Sequence, residues 1–118
     1  MTIDDLVAEI LRYHYDLSCE KRLQDGLEVA LRDRAELAIE REFILSSKDR
    51  IDFFHPDSGV GIEVKTDGGL AQVGLQLIRY AKHSNIRGLI LVSTKAAHMA
   101  LPEDIGGKPF RRVHLRWL

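Results

Sequence analysis

The chain has 118 residues, a length that allows one compact domain and excludes a multidomain enzyme. Its formal net charge is -1, from 17 basic and 18 acidic side chains, which excludes a strongly basic protein that coats nucleic acid but not an enzyme that acts on it. No run approaches the roughly 18–20 apolar residues of a membrane span, and the N-terminus lacks a signal-peptide pattern. With a single cysteine and therefore no internal disulfide, we expect one cytoplasmic domain over residues 1–118.

Two amphipathic helices are predicted at the start of the chain. In the first, apolar side chains recur every three or four residues, and Thr2 is the expected N-cap. After a break at residues 16–18, Ser18 is expected to cap a second helix over roughly residues 19–33. Cys19 falls on the apolar stripe of that helix, so we expect a buried thiol.

Three short strands are predicted next, at residues 37–45, 50–54 and 60–65. Apolar and polar side chains alternate in them with the period of two that is typical of a strand with one buried face. The first strand is expected to place on one face Leu37, Ile39, Phe43 and Leu45. The third is expected to place on one face Val60, Ile62 and Val64. The short turns between the strands favour an antiparallel arrangement.

The second half of the chain returns to helix and strand in alternation. A helix is predicted over roughly residues 70–83, followed by a continuous apolar run at 88–94 that is typical of a central strand. A helix between two strands favours a right-handed crossover and parallel pairing. A short helical turn over 95–100, a loop and an edge strand complete the chain, and the edge strand is expected to contain Val113, Leu115 and Trp117.

The predicted element order is therefore α-α-β-β-β-α-β with a terminal strand, an α/β fold with a mixed sheet and helices beside it. We divide it into an N-terminal helix (1–17), a core (18–94) and a C-terminal loop with an edge strand (95–118).

Three charged residues stand out within the predicted strands. Glu63 and Lys65 are two residues apart, so both side chains leave the same face of the third strand. Asp52 lies eleven positions before Glu63, on the neighbouring strand, where an antiparallel hairpin brings it beside Glu63. Two carboxylates held close together are costly unless a cation joins them. Oxygen ligands of this kind suit Mg²⁺, and a lysine nearby can stabilise charge on a phosphate.

Two helices carry polar pairs at a spacing that places both members on one face. Gln76 and Tyr80 form such a pair on the helix after the third strand, and Glu20 and Gln24 form one on the second helix. We expect the helices to direct these side chains toward the carboxylates of the sheet.

Asp52 followed by Glu63-Val64-Lys65 resembles the signature of the PD-(D/E)XK nuclease superfamily, and the element order over roughly residues 18–94 is similar to that of the family. The segment Gln76–Tyr80 resembles the Q-x-x-x-Y motif of RecB-type nucleases. Ile51 stands where the signature has proline, a departure that many members share. The resemblance implies a restriction-endonuclease-like αβββαβ core, with three antiparallel strands and then a parallel crossover strand.

The resemblance also implies roles for these residues in the hydrolysis of a DNA phosphodiester bond. Asp52, Glu63 and the backbone carbonyl of Val64 would bind Mg²⁺ or Mn²⁺, with Glu20 as a further ligand or as a residue that places water. Lys65 would orient or polarise the attacking water. Gln76 would position Lys65 or the substrate, and Tyr80 would support the site or contact DNA. Rivals of Glu20 for the helical carboxylate are Glu28 and Glu36.

The C-terminal segment is the predicted DNA-binding surface, because it is basic and has no acidic side chain. Its cationic residues are Lys108, Arg111, Arg112 and Arg116. An edge strand with a charged outer face is the alternative interpretation of the same residues. Because so small a core offers little surface for DNA, we expect a homo-oligomer or a partner subunit, and no organic cofactor.

Two other functions stay open at this stage. One is a dimeric resolvase of Holliday junctions or other branched DNA, of the archaeal or phage kind. The other is a DNA-binding or subunit protein that retains the fold without catalysis.

Overall fold

A computed structural model describes residues 1–34 and 37–117 of the chain. In these ranges the chain forms three α-helices, one short 3₁₀ helix and six strands. In chain order they are α1 (Ile3–Leu11), α2 (Glu20–Arg32), β1 (Glu40–Ile44), β2 (Arg50–His55), β3 (Val60–Lys65), α3 (Leu70–Ala81), β4 (Gly88–Ser93), the 3₁₀ helix (Ala96–Ala100), β5 (Asp104–Ile105) and β6 (Lys108–His114). The predicted mixed α and β composition and the order of the elements up to β4 are confirmed. Within these described ranges, no helix is both long enough and apolar enough to cross a membrane.

The six strands form one mixed sheet in the order β1-β2-β3-β4-β6-β5. The first three pair antiparallel, whereas β4 pairs parallel with both β3 and β6. The predicted edge strand at 113–117 is therefore wrong in place and extent, since β6 ends at His114 and lies between β4 and β5. The cause is a two-residue turn at Gly106 and Gly107, whose positive φ angles of 59° and 77° suit a hairpin turn that joins β5 to β6.

Helices cover both faces of the sheet and create two cores. α1 and α2 pack on one face, where the predicted set of Val60, Ile62 and Val64 is buried as expected. α3 packs on the other face, against residues that include Leu89 and Leu91 of β4. Since every residue of β4 is buried, the apolar run predicted there forms a central strand covered from both sides.

The alternation predicted for the first strand changes face within β1. Leu37 and Ile39 pack with α1 and α2, but Phe43 and Leu45 pack against the α3 core, so the prediction of a shared face is wrong. Glu42 lies between the two pairs with φ of 56°, in the left-handed region that a non-glycine residue seldom adopts. This one residue breaks the period of two and turns the rest of the strand over.

The start of α2 also differs from the prediction. Cys19, and not Ser18, is the N-cap residue, and its side chain makes no capping hydrogen bond. The Ser18 N–H is bound by the Asp16 carboxylate at 2.9 Å, which holds Ser18 outside the helix. Because the helix begins one residue later than predicted, Cys19 lies outside its apolar stripe and is exposed. At α1, by contrast, the predicted Thr2 cap is confirmed, within a reciprocal capping box.

Candidate active site

Asp52 and Glu63 lie at the point where β2 and β3 stop pairing. The ladder of paired residues ends at Phe53 and Ile62, one step before the two carboxylates. From there, side-chain oxygens replace backbone carbonyls as acceptors. The Val64 N–H donates to Asp52 Oδ2 at 2.7 Å, and the Asp52 N–H donates to Glu63 Oε1 at 3.2 Å. These bonds satisfy the backbone and hold the two carboxylates side by side.

The break also changes which face β2 presents to each core. Ile51 packs in the α3 core, and Phe53, two residues later, packs in the core with α1 and α2. A regular strand would place both on one face. Asp52 lies between them and is opposite Glu42, the residue with positive φ, if the β1–β2 register is continued. The irregularities at Glu42 and between Ile51 and Phe53 therefore lie on β1 and β2, around Asp52.

Lys65 lies on the same side of β3 as Glu63, as its spacing predicts. Its ammonium is 3.4 Å from Glu63 Oε2, and its side chain is partly exposed while that of Glu63 is buried. The ammonium therefore reaches the buried Glu63 carboxylate from the solvent side. Two carboxylates and one ammonium leave the group with excess negative charge when both carboxylates are ionised.

Tyr80 and Gln76 join the group from α3. The Tyr80 hydroxyl lies 3.1 Å from the Arg50 carbonyl and 3.5 Å from Glu63 Oε2, and it accepts a hydrogen bond from Gln76 Nε2 at 2.8 Å. Tyr80 is buried and Gln76 partly so. The pair predicted on one face of this helix thus reaches Glu63 through the tyrosine, and Gln76 contacts the tyrosine directly.

Glu20 enters from the opposite side, at the first residue of α2. Its Oε1 accepts a hydrogen bond from the Thr66 N–H at 3.3 Å, just beyond the end of β3. With Lys65, Gln76 and Arg79 it lines an open cleft of about 360 Å³. Among the rival residues, Glu28 is paired with Arg32 and Arg41. The other rival, Glu36, lies outside the described residues.

Burial and mutual repulsion shift the acidity of both strand carboxyls. Burial, and then the charge of Asp52, raise the pKa of Glu63 to about 8. Burial also raises the pKa of Asp52, and the charge of Glu20 adds to that shift. The side-chain interaction between them lowers the pKa of Asp52 and raises that of Glu63, so Glu63 is the one that is protonated more readily. At neutral pH and without a cation, the pair therefore carries one proton.

These donors fit a hard divalent cation, because a cation can take the place of the proton that Glu63 holds. Each carboxylate uses one oxygen for a backbone N–H, and an ion on the second oxygen of Glu63 would share it with the Lys65 ammonium and the Tyr80 hydroxyl. Mg²⁺ needs only one or two carboxylates and retains several waters. In residues 1–34 and 37–117, no three or more histidine, cysteine, aspartate or glutamate side chains group closely enough to hold a metal. Glu20 and Asp67 are the carboxylates that line the cleft, and neither forms a three-ligand cluster with Asp52 and Glu63.

Sequence reasoning missed a cluster at Asp49, in the turn before β2. The Asp49 carboxylate is buried, and it accepts hydrogen bonds from Arg79 Nε and His83 Nε2, each at 3.0 Å. These bonds join the end of α3 to the β1–β2 turn, close to the Tyr80 contact with Arg50. A signal was present in the sequence, since Arg79 lies within the Gln76–Tyr80 segment, but its partner is thirty residues away.

A second missed cluster fixes the loop before α3. His98 is fully buried, and its Nε2 lies 2.7 Å from the carbonyl of Gly68, which lines the cleft. Because a carbonyl only accepts, His98 Nε2 carries the proton, and Nδ1 lies 2.7 Å from Ser93 Oγ. Ser93 is also fully buried, at the end of β4. The loop at this wall of the cleft is therefore attached to the sheet.

The basic C-terminal segment has mostly intramolecular contacts. Lys108 Nζ donates to the His83 carbonyl at 3.0 Å, and Arg111 pairs with Asp4 at 2.8 Å. Arg112 donates to the carbonyls of Met99 and Leu101. Arg116 is exposed and forms neither a hydrogen bond nor an ion pair with any other described residue. DNA binding by the four residues stays a prediction. Of the four, Arg116 is the one without a hydrogen-bond or ion-pair partner among the described residues.

No protein-family model matches this chain, and comparisons with curated proteins and with solved structures found no significant match. The likeness to PD-(D/E)XK nucleases therefore depends on the residues described above.

Proposed function

We propose that this protein is a divalent-metal-dependent nuclease that hydrolyses DNA phosphodiester bonds. The observation that carries the proposal is the pair of buried Glu63 and half-buried Asp52, held side by side where β2 and β3 separate, with the Lys65 ammonium 3.4 Å from Glu63. The two carboxylates outnumber the one ammonium beside them, and the pKa of each is raised, a perturbation that is common at functional sites. That surplus is expected of a site that operates with a bound cation.

Asp52, Glu63 and the Val64 carbonyl would hold Mg²⁺ or Mn²⁺. Such an ion, when bound, lowers the pKa of a coordinated water and offsets charge on a phosphate. Lys65 contributes a mobile positive charge that orients the attacking water and stabilises the phosphate oxygens. Glu20 lines the same cleft as Lys65 and would accept hydrogen bonds from water there. These roles follow the sequence resemblance residue by residue.

The α3 residues support the same proposal as positioning groups. The Gln76 amide donates to the Tyr80 hydroxyl, which fixes Tyr80 against the Glu63 carboxylate. The finer fold assignment, a restriction-endonuclease-like core with a RecB-type Q-x-x-x-Y helix, belongs to this proposal too. The observed α-β-β-β-α-β order agrees with it.

We propose that a second copy of the chain or a partner subunit supplies part of the DNA-binding surface. Most of the basic C-terminal segment donates intramolecular hydrogen bonds, so these side chains are less available to DNA. The outer side of α3 bears exposed Leu75 and Ile78 one turn apart, on the helix that also contributes residues to the cleft. A dimer that covers them would place two clefts in one particle, as a resolvase of branched DNA requires.

One observation favours a different candidate, a DNA-binding or subunit protein without catalysis. Asp52 Oδ2 and Glu63 Oε1 already accept backbone N–H bonds, and the described residues contain no cluster of three metal ligands. In that case the carboxylates serve the sheet alone.

Metal titration on defined DNA substrates tests the proposal. Wild type is incubated with Mg²⁺ or Mn²⁺ and with single-stranded, duplex and four-way-junction DNA, and cleavage is followed on gels. We expect Asp52→Ala and Lys65→Ala to lower the rate about 100-fold or more. Asp57→Ala, an exposed acid in the β2–β3 turn, is the matched control and should cut like wild type.

Two results would count against the proposal. If wild type cuts none of the substrates with either ion, the non-catalytic alternative is favoured. If the folded Asp52→Ala and Lys65→Ala variants cut as fast as wild type, the activity lies elsewhere in the chain. Circular dichroism of each variant separates loss of activity from loss of structure.

A further inference from the structure

A second cleft, of about 430 Å³, lies between residues 11–17 and the residues that follow β6. We call it the aromatic cleft, and the side chains that define it are Tyr13, His14, Tyr15, His114, Arg116 and Trp117. Its volume is within the usual range of sites for small organic ligands. None of the described residues that line it is a carboxylate.

The two tyrosines make one wall of the cleft rigid. The Tyr15 hydroxyl donates to the Ile10 carbonyl at 2.6 Å, and the Tyr13 hydroxyl donates to Asp33 Oδ2 at 2.7 Å. Both hydroxyls are therefore engaged with the protein, and the rings remain as the lining surface. Trp117 lines the cleft from the segment after β6, with 69% of its surface exposed. Exposure of so large an apolar ring to water is unfavourable, and a planar ligand that stacks on the indole would bury it.

The charge of the cleft comes from Arg116. It is exposed and unpaired among the described residues, unlike the other cations of the C-terminal segment. An unpaired guanidinium beside an indole suits a ligand that has both an anionic group and a planar ring. A nucleotide has both, since a base can stack while its phosphate takes two hydrogen bonds from the guanidinium.

The aromatic cleft and the candidate active site lie at the same end of the sheet. The Leu115 N–H donates to the Ser93 carbonyl at 2.9 Å, and the Thr94 N–H donates to the Lys65 carbonyl at 3.1 Å. The segment after β6 is thus two strands away from Lys65, roughly 10 Å at the usual strand spacing. A smaller hollow, lined by Thr94, Arg116 and Trp117 among others, lies between them.

We propose that the aromatic cleft binds one unpaired nucleotide of a single DNA strand, with the base stacked on Trp117 and the phosphate on Arg116. The inference rests on the proposed function, because it takes the strand to continue from the candidate active site. A paired base in a duplex has both faces stacked and cannot enter. The protein would therefore prefer a substrate with a frayed end, a flap or an unpaired junction arm.

Trp117 makes the test direct, because it is the only tryptophan of the chain. Its fluorescence is followed while wild type is titrated, in EDTA so that no strand is cut, with a short oligothymidylate, with a blunt duplex and with thymidine monophosphate. We expect the single strand to quench the emission strongly, the monophosphate to quench it at much higher concentration, and the duplex to leave it unchanged.

Variants are compared by the anisotropy of a dye-labelled oligothymidylate. Trp117→Ala should weaken binding at least about fivefold, from the loss of one base stack, and Trp117→Phe should retain most of the affinity. Arg116→Ala should weaken binding and flatten its salt dependence. Arg87→Ala removes an exposed arginine at the other end of the sheet, before β4, and should bind like wild type.

The inference is overturned if the strand binds by anisotropy while Trp117 emission does not change, or if Trp117→Ala binds as well as wild type. It is also overturned if duplex and single strand quench equally. None of these readouts needs cleavage or metal. Failure of the proposed function would appear instead as absent cleavage with the fluorescence response intact.

Discussion

Asp49, in the turn before β2, and Glu63, on β3, are both buried carboxylates, but their surroundings are opposite. Asp49 has a guanidinium and an imidazole at 3.0 Å, and its hydrogen bond to His83, with that to Arg79, lowers its pKa. Glu63 has a second carboxylate beside it and one lysine at 3.4 Å, and burial and the charge of Asp52 raise its pKa to about 8. The fold therefore stabilises the ionised form of Asp49 and disfavours the ionised form of Glu63.

The difference separates structural from functional use of a buried charge. Asp49 joins α3 to the β1–β2 turn, so its charge is balanced where it lies and stabilises the native packing. Glu63 is held in a state that is unfavourable without a cation or a proton. A protein that retains such a group loses stability at that site, which is common where a charge serves binding or catalysis.

The largest expected effect is a gain of stability from Glu63→Gln. An amide of the same shape mimics the protonated carboxyl without a charge, so above pH 8 and in EDTA we expect unfolding to cost roughly 2–4 kcal/mol more than in wild type. Because the folded pKa of Glu63 is raised, wild-type stability should fall as pH rises from about 4.5 to about 8. Urea denaturation across that range measures both, and the two proteins should converge near pH 5.

Metal provides the second half of that experiment. Mn²⁺ should raise the melting temperature of wild type at pH 8 and have little effect on Glu63→Gln, because only a ligand that prefers the folded state stabilises it. Glu103→Gln, an exposed acid before β5, controls for the loss of one negative charge. A Glu63→Gln protein no more stable than wild type at pH 8 would contradict the assigned electrostatics.

A smaller effect of opposite sign is expected from Asp49→Asn. Loss of the charge weakens the bonds to Arg79 and His83, and because Arg79 is more than half exposed we expect a loss of about 1–2 kcal/mol. The pKa of Asp49 is lowered in the fold, so its contribution is present above pH 3.8 and is lost as pH falls through the lowered value. In thermal melts, the difference from wild type should therefore be smaller at pH 3 than at pH 7. Equal destabilisation at both would indicate a packing defect instead.

The smallest effect is expected from Tyr80→Phe. It removes a hydroxyl that contacts the Arg50 carbonyl and Glu63 and that accepts from Gln76, while the ring remains in the core. We expect a loss of about 1 kcal/mol in urea denaturation. Tyr15→Phe, which removes one partly buried hydrogen bond to the Ile10 carbonyl, is the comparison. If Tyr80→Phe is neutral and Tyr15→Phe is not, α3 is held without the hydroxyl.

Much of the fold and part of the site could be predicted from local patterns. The period of two in β3 places Glu63 and Lys65 on one side, and a short hairpin brings Asp52 near them. The helical spacing of Gln76 and Tyr80 is equally local. Each of these predictions depends on neighbours within about a dozen residues, where covalent geometry limits the arrangements.

The features that could not be predicted depend on packing across the chain. The turn of β1 at Glu42 needs a backbone conformation that residue type does not suggest, and it decides which core receives Phe43. The bonds of His98 to Gly68 and of Asp49 to Arg79 each span about thirty residues. Strand order could not be predicted for the same reason. The position of β6 beside β4 depends on the Gly106–Gly107 hairpin and on the burial of Phe110.

The left-handed conformation of Glu42 has a consequence for association between chains. β1 is the outer strand of the sheet, and an outer strand with evenly spaced free N–H and C=O groups invites another strand to add to it. The reversal at Glu42 interrupts that spacing halfway along a five-residue strand. The same irregularity that accompanies Asp52 therefore protects the open edge against sheet extension and aggregation.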